Sequence, residues 1–174
     1  IARDTGLTVT KYTYLDKGCV ATPRLDYEGL RRDLRGVEEG AIVVLHLCAH
    51  NPTGVDPSLE QWEGIADVCK ERKLVPLIDN AYQGFASGNL EKDAKPLRVF
   101  IDKGLTPLIA CSFAKNMGLY GERVGALHIV TPDASCAAAV QSQLKLLARA
   151  MYSNPPQFGA MVAHRVLSDE VLRG

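Results

Sequence analysis

The sequence lacks an excess of charge of either sign, because 20 Lys and Arg residues balance 20 Asp and Glu residues among its 174 positions. A chain without net charge lacks the overall field that attracts nucleic acid or anionic lipid. No apolar run approaches the roughly 20 residues that a membrane-spanning helix needs, and the first residues lack the pattern of a secretory signal. With 47% apolar residues, we expect one soluble, intracellular domain that binds neither nucleic acid nor membranes.

The cysteines show no pattern of pairing. The five cysteines are odd in number, widely spaced and without a Cys-x-x-Cys pair, so the sequence supports neither a disulfide framework nor a metal site. Two phosphate-binding patterns are also missing, namely G-x-x-x-x-G-K-[ST] and a G-x-G-x-x-G that follows a strand. The missing phosphate-binding patterns exclude the common nucleotide-binding classes. The cysteine spacing predicts reduced thiols at Cys19, Cys48, Cys69, Cys111 and Cys136.

The apolar pattern alternates between strands and helices. Residues 7–15 alternate apolar and polar positions, as is typical of a strand, and the continuous apolar run at 41–48 predicts a parallel strand covered on both faces. Asp56 followed by Pro57 predicts the start of a helix that continues to residue 73. Pro76 removes a backbone donor and predicts a bulge or an incompletely paired side in its strand. The remaining predicted elements are a helix from Asp26, strands at 74–79, 107–111 and 125–130, and helices at 96–103 and 133–149.

The repeated strand, helix, strand order predicts right-handed crossovers, and hence an α/β fold with three α/β/α layers and a mostly parallel open sheet. In such a sheet, ligands bind at the carboxyl ends of the strands, where several loops converge. The polar residues that follow the predicted strand ends are His50, Asn51, Asp79, Tyr82, Ser112 and Lys115. Together they suit an aromatic cofactor that carries a phosphate group.

Four segments resemble one family of enzymes. They are HNPTGVDPSLEQW at 50–62, DNAYQGFASG at 79–88, SFAKNMGLYGERVG at 112–125 and MYSNPP at 151–156. In order and spacing they closely resemble the aspartate aminotransferases, which are class I members of the fold type I enzymes that use pyridoxal 5'-phosphate. The resemblance implies that residues 1–174 are an internal fragment of the large cofactor-binding domain, with the upstream part of that domain and the small domain outside the chain.

The resemblance also implies roles for individual residues around the cofactor. Lys115 matches the lysine that bonds covalently to the cofactor and moves a proton at the substrate, which requires a deprotonated amine near neutral pH. Asp79 matches the carboxylate that keeps the ring nitrogen protonated. His46 lies where a histidine supports that aspartate in the family, although a lone histidine is as often a satisfied core residue.

The other matched residues bind the oxygen atoms of the cofactor and the substrate. By resemblance, Asn51 and Tyr82 hydrogen-bond the phenolic oxygen, and Ser112 and Arg123 bind the phosphate. Arg149, four residues before the serine of the YSNPP motif, matches the arginine that reaches across a dimer to the side-chain carboxylate of the substrate. Without the motif, Arg149 would be interpreted as a cation at a helix C-terminus.

The implied function is transfer of the amino group between L-aspartate and 2-oxoglutarate, giving oxaloacetate and L-glutamate. It would follow a ping-pong cycle through pyridoxamine phosphate, in a homodimer in the cytoplasm, with a mitochondrial form left open. Several family residues lie outside the chain, and the single tryptophan, Trp62, belongs to a predicted core helix, so we expect the isolated 174-residue chain to be inactive. Two alternatives stay open: a class I aminotransferase with aromatic or broader specificity, and a non-catalytic module that retains the fold.

Overall fold

The computed structural model describes residues 2–16, 18 and 22–173. A short 3₁₀ turn spans Ala2–Thr5. The strands are β1 (Ile42–His46), β2 (Val75–Asn80), β3 (Leu108–Ser112) and β4 (Gly125–Ile129). The helices are α1 (Tyr27–Arg35), α2 (Leu59–Glu71), α3 (Leu90–Asp93), α4 (Lys95–Asp102), α5 (Ala134–Tyr152), α6 (Gln157–Ser168) and α7 (Glu170–Arg173).

The four strands form one mixed sheet in the order β1-β2-β3-β4. The pairs β1–β2 and β2–β3 are parallel, with α2 crossing over between the first pair and α3 and α4 between the second. Strand β4 runs antiparallel to β3, because the connection at 113–124 contains no crossover helix and returns the chain along the strand it has left. The predicted α/β class and mostly parallel open sheet are confirmed.

The hydrophobic core lies between one face of the sheet and helices α1, α2 and α4. Alternate residues of β1, Val43 and Leu45, are buried together with the helical side chains Leu30, Trp62 and Phe100. The rings of Trp62 and Phe100 meet edge to face at a centroid distance of 6.0 Å, which is a favoured aromatic geometry. Trp62 is only 3% exposed, and its predicted place in the core is confirmed.

The other face of β1 is not covered in the described part of the chain. Ile42 is 52% exposed and Val44 is 47% exposed, so burial alternates along the strand instead of being continuous. The expectation that residues 41–48 are covered on both faces is therefore wrong for the described residues. Leu127 of β4 is exposed to a similar degree.

The predicted strand at 7–15 is not formed; only an isolated antiparallel bridge joins Leu15 to Leu25. Instead, Tyr12 and Tyr14 pack against the edge of the core. The Tyr12 hydroxyl donates to the Val44 carbonyl at 2.8 Å. The intervening Thr13 N–H donates to the Asp33 carboxylate at 2.8 Å. Residues 7–11 are exposed and residues 12–15 are half-buried, so burial does not alternate along this segment.

Helix α2 begins later than predicted. Its N-cap is Ser58, whose hydroxyl accepts from the Gln61 N–H while the Gln61 side chain accepts from the Ser58 N–H. This capping box satisfies two donors at the helix start. Asp56, the predicted cap, instead accepts hydrogen bonds from the backbone N–H groups of Ala49 and His50.

Pro76 is accommodated without a bulge. The Val75 N–H donates to the Ala41 carbonyl, so the backbone nitrogen of the next residue faces the opposite side of β2. Pairing of β2 with β3 begins only at Leu77. The missing donor therefore falls where β2 has no partner, and the prediction of an incompletely paired side is confirmed.

Two further sequence expectations are tested among the described residues. Cys48, Cys69, Cys111 and Cys136 carry free thiols, as expected, whereas Cys19 lies outside the described residues. None of the helices within residues 2–16 and 22–173 is both long enough and apolar enough to cross a membrane.

Candidate active site

Strand register brings the predicted site residues to one edge of the sheet. His46, the last residue of β1, is aligned with Asp79 near the end of β2, and Asp79 is in turn aligned with Ala110 of β3. Ser112 ends β3, two residues beyond that alignment. The carboxyl ends of these parallel strands therefore meet, as expected for a ligand-binding edge.

His46 and Asp79 face each other across the two strands. The Nε2 atom of His46 lies 4.0 Å from Oδ2 of Asp79. The other ring nitrogen, Nδ1, accepts the Asn51 N–H at 3.1 Å, so in the neutral ring the proton is on Nε2 and faces the carboxylate. Of the two interpretations of His46, this geometry favours the partner of Asp79.

Two further aromatic rings, Tyr14 and His50, lie beside this pair. The ring of Tyr14 lies parallel to His50 at a centroid distance of 3.8 Å, and His50 is 4.6 Å from His46. Burial, and then the proximity of His46, lower the pKa of His50. His50 is therefore neutral at pH 7, and Tyr14 shields one face of its ring. No local pattern indicates Tyr14 as a site residue, because it lies 36 positions before His50 in a segment that resembles a strand.

The loop after β2 carries Tyr82 towards Lys115. The Nζ atom of Lys115 lies 5.7 Å from the centroid of the Tyr82 ring and 5.8 Å from that of Tyr120. Both distances are within the range of a cation–π contact. The amine is thus close to two aromatic rings, one of which belongs to Tyr82, three residues after Asp79.

Ser112 and Arg123 are adjacent to the lysine segment. The Ser112 hydroxyl accepts from the Ala114 N–H at 3.2 Å, and Nη1 of Arg123 donates to the Tyr120 carbonyl at 3.0 Å. Arg123 has a left-handed backbone, with φ of 52°, a conformation that is uncommon for residues other than glycine. The end of β3 thus carries a hydroxyl, and the turn at 113–124 that follows it carries an amine and a guanidinium.

Arg149 is not brought to this edge by any contact within the described residues. It lies in the last turn of α5, where its Nη1 donates to the Ser153 hydroxyl. Asn154 also approaches the Ser153 hydroxyl, at 3.5 Å. Exposed apolar side chains surround this end of α5, including Leu147, Met151 and Phe158.

Two carboxylates at the site were not predicted as site residues. The Asp56 carboxylate accepts a backbone hydrogen bond from the loop that follows β1, and the Asp93 carboxylate accepts one from the loop that follows β2. Asp56 resembled a helix cap, and Asp93 lies in a polar stretch whose sequence does not reveal that its side chain is only 5% exposed.

The comparisons with known proteins identify the family of the chain. The family model described as aminotransferase class I and II matches residues 1–174. The chain belongs to this family. It is 54% identical over 167 residues to a cytoplasmic aspartate aminotransferase of Oryza sativa subsp. japonica, which covers 96% of this chain and 40% of the relative. It is 50% identical over 173 residues to a mitochondrial aspartate aminotransferase of Gallus gallus, covering 99% of this chain and 40% of the relative.

Solved structures of this aminotransferase family share the fold. An aromatic-amino-acid aminotransferase from Burkholderia pseudomallei, covalently bound to pyridoxal phosphate, matches with a TM-score of 0.93 and 44% identity over 98% of this chain and 42% of that protein. A mitochondrial aspartate aminotransferase from Trypanosoma brucei matches with a TM-score of 0.91 and 45% identity over 98% of this chain and 44% of that protein. The chain thus spans about 40% of the length of the relatives it matches.

Proposed function

We propose that the protein to which this aminotransferase chain belongs is an aspartate aminotransferase. The observation that carries the proposal is the placement of the Lys115 amine, 5.7 Å from the Tyr82 ring, at the sheet edge where His46 faces Asp79. The identity of about 50% to aspartate aminotransferases of a plant and a bird supports it. We propose further that residues 1–174 are part of the large, cofactor-binding domain.

The donor groups at this edge fit pyridoxal 5'-phosphate. Asp79 would hold the ring nitrogen, Asn51 and Tyr82 the phenolic oxygen, and Lys115 the aldehyde carbon. Ser112 and Arg123 would hold the phosphate, for which a guanidinium offers a planar pair of donors. When bound, the cofactor supplies an aromatic system that accepts the electron pair released at the substrate α-carbon.

The protein side chains control charge and protons around that system. The Asp79 carboxylate stabilises a proton on the ring nitrogen, and the Nε2 proton of His46 points at the carboxylate and supports its negative charge. The Lys115 amine takes a proton from the substrate α-carbon as a general base, and its protonated form later donates a proton as a general acid. His50 is neutral, so it adds no positive charge that would weaken the field of Asp79.

The proposed substrates are L-aspartate with 2-oxoglutarate, and L-glutamate with oxaloacetate in the reverse direction. A dicarboxylate needs a cation at its side chain, and we propose Arg149 for this role, supplied across a homodimer. The exposed apolar surface beside Arg149, formed by Leu147, Met151 and Phe158, favours such an interface. The partners are therefore these small molecules and a second copy of the chain.

A second candidate is an aminotransferase with aromatic or broader specificity. The structural match to the Burkholderia pseudomallei aromatic-amino-acid enzyme, with a TM-score of 0.93, favours it. Steady-state kinetics with Asp, Phe and Tyr would separate the two candidates in the full-length protein and in Arg149→Ala. We expect Arg149→Ala to lower kcat/KM for Asp by about 100-fold, since it leaves a carboxylate without its charged partner, and to spare Phe.

The control for this comparison is Arg165→Ala, which removes an exposed arginine of α6 that pairs with Asp169. It should leave all three substrates unaffected. Equal losses for Asp and Phe in Arg149→Ala would contradict the dicarboxylate proposal.

The test of the chemistry is borohydride reduction of full-length protein supplied with pyridoxal phosphate, followed by peptide mapping. We expect a pyridoxyl group on Lys115 and none in Lys115→Arg, whereas Lys145→Arg, which changes a lysine of α5, should be labelled like the wild type. Absence of label on Lys115 would refute the enzyme proposal and favour the non-catalytic module. The isolated 174-residue chain should show no aspartate-dependent turnover.

For the compartment we propose the cytoplasm, as for the Oryza sativa relative. A chloroplastic form of Arabidopsis thaliana is equally similar, at 54% identity over 167 residues. Imaging of the tagged full-length protein tests the proposal, and a mitochondrial or plastid signal would overturn it.

A further inference from the structure

The loop that carries Tyr82 is held by hydrogen bonds to a buried carboxylate. Asp93, the last residue of α3, is 5% exposed. One of its oxygens accepts the Gly84 N–H at 2.8 Å and the Ser87 N–H at 3.4 Å, and the other accepts the Ser87 hydroxyl at 2.6 Å. Gly84 lies two residues after Tyr82, so the direction of the Tyr82 backbone depends on this anchor.

The loop that carries Asn51 is fastened in the same way. The two carboxylate oxygens of Asp56 accept the Ala49 N–H at 2.7 Å and the His50 N–H at 2.9 Å. Ala49 has a φ of 48°, a left-handed conformation that residues with a side chain seldom adopt. The Asp56 bonds hold that turn, and the next residue, Asn51, donates its N–H to His46.

These bonds are stronger than ordinary loop contacts. A carboxylate that accepts backbone N–H groups forms charge-assisted hydrogen bonds, which are about twice as strong as neutral ones. Burial raises the pKa of Asp93, but the bonds from Ser87, Gly84 and Ala86 outweigh it and leave the pKa below its usual value. Asp93 is therefore charged at neutral pH, where its hydrogen bonds to the loop keep their charge assistance.

We propose that Asp56 and Asp93 are positioning residues that set the cofactor-binding geometry of Asn51 and Tyr82 without touching the cofactor. The inference rests on the proposed function, since it concerns the two residues proposed to donate to the phenolic oxygen. A donated hydrogen bond stabilises the anionic form of that oxygen and lowers the pH at which the lysine-bound cofactor changes its visible absorption. Misplacing either donor raises that pH.

The test uses the full-length protein loaded with pyridoxal phosphate, with Asp93→Asn and Asp56→Asn as variants. The amide keeps the size of the carboxylate but removes its charge. In Asp56→Asn the NH₂ group faces one of the two backbone donors, whereas in Asp93→Asn it can face the Ser87 hydroxyl, and the backbone bonds lose only their charge assistance. We expect the pH midpoint of the visible absorption to rise and the dissociation constant of the cofactor to increase at least about threefold, equivalent to about 0.7 kcal/mol.

Two further variants separate positioning from general loss of stability. Asp133→Ala removes an N-cap carboxylate that accepts the Cys136 N–H at 2.7 Å in α5; it should lower stability and leave both cofactor readouts unchanged. Ser87→Ala removes one bond to Asp93 and should give a smaller shift in the same direction. Wild-type midpoints and dissociation constants in both Asn variants would overturn the proposal.

Hydrogen exchange of the protein without cofactor gives a readout that does not depend on the proposed function. The amides of Gly84 and Ser87 should exchange faster in Asp93→Asn, and those of Ala49 and His50 faster in Asp56→Asn. A wild-type protein that takes up no cofactor would overturn both the proposed function and the positioning role. Faster exchange in the variants would then show only that the carboxylates hold these loops, and unchanged exchange would refute the anchoring itself.

Discussion

Gly125 permits the close approach of β4 to β3 beside Ser112, and a methyl group there should be costly. In the register of the two strands Gly125 is aligned with Ser112. A Cβ atom at Gly125 would lie closer than 3.0 Å to the carbonyl oxygen of Cys111 and 3.5 Å from its carbonyl carbon. Because that neighbour is backbone, it cannot rotate away, and the strands must separate by about half an ångström or more to restore normal contact.

The expected cost of Gly125→Ala follows from this overpacking. Overpacking a well-packed site costs about 1–3 kcal/mol, whereas replacing glycine at a compatible site stabilises by about 0.4–1 kcal/mol through the unfolded state. We therefore expect a net loss of about 1–2 kcal/mol in the free energy of unfolding. Since Ser112 would move with β3, binding of pyridoxal phosphate should weaken as well.

The matched control is Gly121→Ala in the same connection. Gly121 has no atom within 4 Å of its added Cβ and has no positive φ, so it should be neutral or slightly stabilising. Urea unfolding of the full-length protein compares the two variants, and fluorescence titration measures cofactor binding. If Gly125→Ala is as stable as Gly121→Ala, the close approach of β3 and β4 does not constrain this position and the reasoning fails.

Four other outcomes are expected. Phe100→Ala, at a fully buried position, should lower the free energy of unfolding by about 3–5 kcal/mol; a loss below about 1 kcal/mol in urea would contradict its place in the core. Ser58→Ala should cost about 1 kcal/mol through loss of the capping box, and Ser58→Asp should recover most of it. The folded-state pKa of Asp93 is lowered, so its stabilisation is present above the unfolded pKa and lost as pH falls through the folded value; Asp93→Asn should therefore flatten the acid side of a stability profile followed by circular dichroism. Burial raises the pKa of both Cys48 and Cys69 to about 12, so native protein at pH 8 should be alkylated at these thiols far more slowly than urea-unfolded protein, as measured by mass spectrometry.

Local patterns predicted the sheet because its strands are short apolar runs followed by polar residues. The elements at 41–48, 74–79, 107–111 and 125–130 were placed to within one or two residues at most ends, since continuous apolar runs depend little on distant contacts. The strand at 7–15 failed for the opposite reason. Leu7 and Val9 of that segment are exposed, whereas Tyr12 and Tyr14 donate hydrogen bonds to carbonyl groups more than 30 positions away. No local pattern can distinguish such long-range contacts from strand pairing.

The site residues were named from motifs, but the groups that hold them were not. Asp56 stands before a proline and fits a helix cap, yet it bonds the turn seven residues earlier. From its sequence neighbours Asp93 resembles an exposed charged residue, whereas in the structure its carboxylate accepts hydrogen bonds from the loop at 84–87. Arg149 is the reverse case, because its proposed role depends on a second subunit and no contact among the described residues reveals it. A motif names the side chains that meet a ligand, whereas the anchors depend on tertiary structure.

The groups around Asp79 affect how much of its negative charge is available to a bound cofactor. The Asn51 N–H occupies one nitrogen of His46, and this leaves the proton of the neutral ring facing the carboxylate. The His50 ring is stacked on Tyr14 and tilted against His46, and burial lowers its pKa, which favours the uncharged ring. A positive charge on His50, whose ring lies 4.6 Å from that of His46, would weaken the stabilisation that the Asp79 carboxylate gives to the cofactor ring nitrogen, because like charges near one another repel. Keeping His50 neutral therefore leaves the negative charge of Asp79 for the group that it is proposed to hold.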